Sequence, residues 1–453
     1  MSGSEIVPIL TLALLLSWPV CALAMVLVAQ FASGVPEART GGRRQYWIII
    51  PALNEAKVIG NTVGAALALH SERAPVRVLV VDDASDDETP DVLRSLDHDR
   101  LHVIRREQPE ARQGKGEALN AGYRAIRTLT AADEVDSTVV GVIDGDGRAA
   151  TDTVSDVVDA YFSDPEVGAV QSRVRIGNRR RLLGLLQDLE FCCVVNASQC
   201  FRDLVDTVGL GGNGQFVRLR HLIRFGPSPW SSCLVEDIEL GLRLHLEGVR
   251  LRYSSRAVVE QQAIVDVRRL VRQRARWAQG NLQCARYLRK LLLSRQVGSV
   301  GLVDYLAYLV SPWLTVPMSV VVLGVIAAVI GALATGSALG GLAATGDAVP
   351  LAVAVWVAVI LFPGIIWGLW HRWTIGDEPY RRCLLAGVCY PFFLLIGVFA
   401  TWRGLARHVA GRNGWTKTDR LDDMSRPAGR ASLVPAVPAS GGAPVQGLPL
   451  PEH

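Results

Sequence analysis

The run Val139-Val140-Gly141-Val142-Ile143 ends in Asp144-Gly145-Asp146-Gly147, and this abrupt change from apolar to acidic constrains the fold more than any other stretch. An apolar run of that length fits a strand buried on both faces of a parallel sheet, whose carboxyl ends are where ligands bind. Two carboxylates at i and i+2, with glycine between and after them, suit a hard divalent cation carrying phosphate oxygens. Taken alone, the stretch is first of all an Asp/Gly turn, because both residues dominate turns. Its neighbours decide between the two.

Upstream, Tyr46 to Ile50 reads as a strand stopped by Pro51, and a helical pattern runs from Asn54 towards His70. Val76 to Val81 is a second strand ending in Asp82-Asp83, after which Pro90 opens another helix. Leu101 to Ile104 is a third strand, and a helix from Gly114 to about Leu129 precedes the Val139 strand. This alternation predicts an α/β fold with a doubly wound, mostly parallel sheet. Loops leaving the strand ends then share one crevice, which brings Pro51, Asn54 and Glu55 beside Asp82, Asp83, Asp144 and Asp146. Asp82 and Asp83 can accept hydrogen bonds from a base and ribose, and Lys115 can neutralise phosphate.

Further on, an acidic helix over Asp152 to Phe162 and a strand near Val167 to Gln171 are expected, then a long helical pattern from Leu182 to Val194. The glycines of Gly209 to Phe216 mark close backbone approach to a ligand or a neighbouring element, with Gly212 and Gln215 as candidate contacts. Glu236 and Asp237 fall in the first turn of a helix, where acids either cap the dipole or serve as a general base. Gln273, Arg276 and Trp277, at i, i+3 and i+4 of a basic helix, share one face suited to stacking a sugar beside a diphosphate.

The two ends of the chain are apolar. Ile6 to Gln30 carries no charge and is followed by Arg39, Arg43 and Arg44, the pattern of an uncleaved anchor with the next domain in the cytoplasm. Leu302 to Gly336, broken by Pro312 and Pro317, reads as an interfacial helix followed by a span; Val349 to Trp370 and Cys383 to Trp402 read as two more. Three such spans would place Arg403, Arg407, Arg412, Lys417 and Arg420 outside, against the positive-inside rule, so either the first block crosses twice or one block does not cross. The expected organisation is an anchor over 1–34, a linker over 35–45, an α/β domain over 46–297, a membrane region over 298–403, a basic segment over 404–426 and a disordered tail over 427–453. A net charge of +4 gives no argument for nucleic acid, and the eight cysteines show no paired metal-ligand spacing, so any metal would rest on oxygen ligands.

The ordered set Pro51-Ala52-Leu53-Asn54-Glu55, Asp82-Asp83, Asp144-Gly145-Asp146, Glu236-Asp237, Gln273 to Trp277 and Trp415-Thr416-Lys417-Thr418 resembles the membrane-integrated family 2 glycosyltransferases, over about residues 45 to 420. That resemblance implies a GT-A domain between membrane helices, multi-pass in the plasma membrane with its catalytic domain cytoplasmic. It implies that Asp82 and Asp83 hold uridine, that Asp144 and Asp146 bind Mg²⁺ or Mn²⁺ at the diphosphate, and that Asp237 is the catalytic base. Pro51, Asn54, Glu55, Lys115, Gly212, Gln215, Glu236, Gln273, Arg276 and Trp277 would complete the donor and acceptor site. The implied reaction is inverting transfer of a glucose- or N-acetylglucosamine-type hexose from a UDP-sugar to a lipid or polysaccharide hydroxyl, with or without an export subunit. Val235 stands where the family usually has threonine, a departure at the acid pair. The competing reading is a non-catalytic nucleotide-sugar sensor or subunit.

Overall fold

The computed structural model of the chain describes residues 19–30, 36, 43–71, 74–150, 157–335 and 348–412. Most of the linker, half of the acidic stretch after Asp152, the Trp415 to Thr418 motif and the tail lie outside them, as do the first residues of the apolar N-terminus, whose described part is helix α1, Pro19–Gln30.

The first half of the domain alternates as its sequence pattern predicts: β1 Gln45–Ala52, α2 Ile59–Leu67, β2 Val76–Asp82, α3 Thr89–Ser95, β3 Leu101–Arg105, α4 Lys115–Leu129 and β4 Thr138–Val142. These strands pair in parallel in the order β3-β2-β1-β4. The apolar runs of β1, β2 and β4 follow from burial on both faces, while β3 at the sheet edge is only half-buried. Ile48, Ile50, Val78 and Val80 pack with Ile59 and Val63 of α2 on one side. Trp47, Ile49, Leu79 and Val81 pack with Leu119, Tyr123 and Ile126 of α4 on the other. Each such fully buried side chain contributes about 1.5–3 kcal/mol of transfer free energy.

The second half departs from the alternation. It comprises β5 Arg148–Ala149, α5 Asp159–Tyr161, β6 Val167–Ile176, α6 Leu182–Leu189, a π-helical stretch Glu190–Val195 and α7 Asn196–Leu204, then β7 Gln215–Arg218, α8 Leu219–Ile223, α9 Glu236–Leu246 and β8 Arg250–Gln261. The sheet continues from β4 through β7, β6 and β8 to β5, with β7 antiparallel to both β4 and β6. The register pairs Val142 with Gln215, so the loop entering β7 lies beside the carboxyl end of β4. That antiparallel insertion carries the glycines of 209–214 to the acidic turn.

Helices α10 Val267–Cys284 and α11 Leu288–Leu293 follow the sheet, then three long apolar helices, α12 Ser299–Thr335, α13 Ala348–Thr374 and α14 Tyr380–Val409. Ser299–Gly324 and Tyr380–Val409 are each long and apolar enough to cross a membrane.

Candidate active site

Past β4 the chain turns sharply, with Gly147 N donating to Asp144 O at 2.7 Å. Four neighbours hold this turn. Thr62 Oγ1 donates to Gly145 O at 2.8 Å, Asp144 N donates to Asn213 Oδ1 at 3.2 Å, and Asp146 Oδ2 accepts from Gln262 N at 3.0 Å. The buried Glu55 lies so close beneath Gly145 that a Cβ there would sit 2.9 Å from Glu55 Cγ. The glycine between the two aspartates is therefore required by packing.

A cluster of charge assembles in front of Asp144. Lys115, in the first turn of α4, donates from Nζ to Asp144 Oδ1 at 2.5 Å and to Gly212 O at 3.1 Å, and lies 4.0 Å from Glu236 Oε1. A Cβ on Gly212 would stand 2.6 Å from Lys115 Nζ, 3.1 Å from Asp237 Oδ2 and 3.9 Å from Asp144 Oδ2. Lysine and both aspartates thus converge on one point that glycine leaves open. Burial pushes the Lys115 ammonium down, but Asp144, Glu236 and Asp237 outweigh it and hold its pKa above the ordinary value. Burial, with the Asp237 charge adding, pushes the Glu236 carboxyl up to about 7. Asp237 is also raised, first by burial, although Lys115 and the Ile238 N–H at 2.9 Å favour its charged form. A buried carboxylate with a raised pKa is a stronger base than one in water.

The neighbouring strand end is less open than the sequence suggests. Asp82 accepts from Ser85 N at 2.9 Å and from Arg105 at 2.5 Å; Asp83 accepts from Arg106 at 2.6 Å and from Arg112 N at 3.1 Å. Burial raises the Asp83 pKa against the pull of Arg112 and Arg106. Both acids stand at the end of β2, with their carboxylates already engaged by arginine. Pro51 pairs with Val81 near the end of β1. Asn54, at φ 53°, uses its amide to join two loops, donating to Asp86 Oδ1 at 2.6 Å and accepting from Asp86 N at 2.9 Å.

Helix α10 backs the segment that leads into Glu236. Arg276 Nη1 donates to Leu234 O at 3.3 Å, and Leu234 N donates to Gln283 Oε1 at 3.1 Å. Trp277 is half-buried, edge-on to Phe191 and 4.6 Å beneath the Arg274 guanidinium. Among the described residues Gln273 makes no hydrogen bond to the acid cluster. Gln215 is fully buried, and its amide finds no partner among them.

Several positioning residues have no motif of their own. Gln171, a buried polar residue inside β6, accepts from Gly211 N at 2.8 Å and donates to Asn213 O at 2.9 Å, which shapes the glycine loop. Asn213 sits within that loop and was hidden by its glycines. Arg105 ends β3 and Arg106 and Arg112 follow it, where one sequence offers no link to Asp82 or Asp83.

Asp144 and Asp146 offer hard oxygen donors on a glycine turn, a donor set that fits Mg²⁺ or Mn²⁺. Asp188, Cys192 and His371 also bring ligand atoms within 4.8 Å of one another. That set does not suit a cation. Asp188 already accepts from Ile176 N, Arg175 and His371, with Arg179 at 3.4 Å, and two guanidiniums oppose a dication there.

A sheet that runs parallel over four strands and mixed beyond, with acids and a lysine at the β4 end, defines a GT-A glycosyltransferase fold. A mannosyltransferase from Pyrobaculum calidifontis, solved with GDP-Man and Mn²⁺, superposes with a TM-score of 0.55 at 19% identity, covering 90% of this chain and 99% of that one. Residues 44–280, more than half of the chain, match the family described as Glycosyltransferase like family 2, and the protein belongs to that family. It is 30% identical over 273 residues to a beta-monoglucosyldiacylglycerol synthase of Trichormus variabilis, covering 59% of this chain and 55% of the relative. It is 26% identical over 238 residues to a poly-beta-1,6-N-acetyl-D-glucosamine synthase of Staphylococcus aureus, covering 51% and 53%. The chain spans about half the length of these relatives.

Proposed function

We propose that the protein is an inverting hexosyltransferase that moves a glucose- or N-acetylglucosamine-type sugar from a UDP-sugar to a membrane-borne hydroxyl, forming a β-linked glycolipid or polysaccharide at the inner membrane face. The observation that carries this reading is the convergence of Lys115, Asp144 and Asp237 around the space left by Gly212. The names of the two relatives, a glycolipid synthase and a polysaccharide synthase, support the sugar and acceptor classes.

In this reading Asp82 and Asp83 receive the nucleoside, and Asp144 and Asp146 hold a divalent cation. When bound, that ion neutralises diphosphate charge. Asp237 takes the proton of the acceptor hydroxyl as its oxygen attacks the sugar C1 opposite the C1–O bond to UDP. That bond breaks, its electron pair leaves with UDP, and Lys115 and Arg276 meet the negative charge that develops. Glu236, its carboxyl pushed up to about 7 by burial and the Asp237 charge, is only partly ionised near neutral pH, which lessens the second negative charge beside Asp237. The face of Gln273 and Trp277 is left for the sugars.

The test is a donor screen on membranes, reading UDP release across several UDP-sugars with Mg²⁺, Mn²⁺ or chelator and extracting the product. One or two sugars on extractable lipid supports the glycolipid acceptor, and a large polymer selects the polysaccharide. UDP release without any glycosylated product would refute the transferase reading.

A further inference from the structure

Between α6 and α7 the α-helical winding is interrupted by the π-helical stretch Glu190–Val195. Such turns are rare and are frequent at functional sites. This one is held from the sheet. Arg173 of β6 reaches across and donates from Nη2 to Cys192 O. Arg173 is 6% exposed, its Nε has no partner, and no carboxylate among the described residues pairs with it. A buried charge without a counter-ion is costly to keep, and here it serves a single carbonyl of the π turn.

The turn brings two side chains to α10. Glu190 accepts from both Nη groups of Arg274, from Nη1 at 2.9 Å. Phe191 meets Trp277 edge to face, with ring centroids 6.4 Å apart and planes at 84°. The Arg274 guanidinium, fixed by Glu190, packs on both rings, 4.6 Å from the Trp277 centroid and 5.6 Å from that of Phe191. The two rings therefore form a braced corner. Both are half-buried, so part of each stays open.

On one side Trp277 lies at the edge of the apolar cluster that includes Val235 and Ile238, the two residues bracketing Glu236 and Asp237. On the other, Leu189, Cys192 and Cys193, which flank Phe191 in the chain, pack with Trp367 and Trp370 of α13 and Tyr390 and Phe393 of α14. The corner thus stands between the acid pair and the long apolar helices. We infer that Phe191 is a further acceptor-contacting residue, which with Trp277 packs the carbon face next to the attacked hydroxyl and so sets acceptor specificity. A pyranose ring and a glycerol backbone both present C–H groups beside hydroxyls, and aromatic rings hold such carbons by dispersion. The inference rests on the proposed transfer to a membrane-borne hydroxyl.

The test uses the purified full chain in lipid nanodiscs, with UDP-glucose or UDP-N-acetylglucosamine as donor and octyl β-glucoside or dioctanoylglycerol as acceptor. Phe191→Leu should raise KM for the acceptor about 3- to 10-fold, with kcat, the donor KM and the thermal melt little changed. Phe191→Tyr, which keeps the ring, should restore the wild-type acceptor KM. A rise confined to octyl β-glucoside identifies the packed unit as a sugar, and one confined to dioctanoylglycerol identifies it as glycerol. An unchanged acceptor KM in Phe191→Leu, or a fall in kcat and melting temperature without a change in that KM, would overturn the assignment. A wild type that glycosylates neither acceptor with either donor would instead refute transfer to a membrane-borne hydroxyl, and the assignment with it.

Discussion

Lys115 Nζ meets Asp144 Oδ1 at 2.5 Å, joining the start of α4 to the end of β4 across the mouth of the site. The same ammonium faces Glu236 and Asp237, so one cation holds three acids at close quarters. Lys115→Met removes that charge while keeping most of the stem. A charge-assisted hydrogen bond is worth about 1.5–3 kcal/mol, so kcat/KM for the sugar nucleotide should fall about 10- to 150-fold. Steady-state kinetics on the purified variant checks this, and an unchanged kcat/KM would remove Lys115 from the donor site.

Gly212→Ala should separate function from stability. The added Cβ collides first with the far end of Lys115, a flexible group that can swing away, so the fold should lose less than about 1 kcal/mol. Activity should fall at least 10-fold, because Lys115 must leave Asp144. A thermal melt and a UDP-release assay on one preparation measure both.

The Glu236 carboxyl titrates at about 7 in the folded chain and near its ordinary 4.5 when unfolded. Between these values the folded form keeps a proton that the unfolded form has lost, so this group's contribution is fully present below pH 4.5 and is lost as pH rises through 7. Glu236→Gln in chelator-treated protein should therefore be more stable than the wild type at pH 8, by about 1–3 kcal/mol, and nearly equal to it at pH 4.5. Denaturant midpoints at the two pH values test the sign.

The parallel half of the fold was legible because its three inner strands are buried on both faces, and Ile48 to Ile50, Val78 to Val81 and Val139 to Val142 read as continuous apolar runs. Strand β8 was not, because Arg250 to Gln261 mixes serine, arginine and glutamate with its apolar residues and imitates a loop. β7 is four residues long and vanishes beside its glycines. At the site, residues with a chemical signature were found: Lys115, Asp144, Glu236 and Asp237 do come together. Gln171, Asn213 and Gln262, which shape the turn through backbone hydrogen bonds, have no such signature. The amide of Asn54, a candidate substrate contact, pins one loop to another, a link that the sequence alone does not show. The topology of the C-terminal helices was undecidable from hydropathy, since a helix half-covered by protein and one surrounded by lipid have the same composition.

In the proposed reaction Asp237 is the base, placed by Lys115 and Gly212 beside Asp144. The most direct measurement is single-turnover sugar transfer by purified Asp237→Asn, with UDP binding measured by calorimetry on the same sample. The transfer rate should fall about 100- to 10,000-fold, with UDP affinity changed less than about threefold. Transfer within about tenfold of the wild-type rate would contradict it.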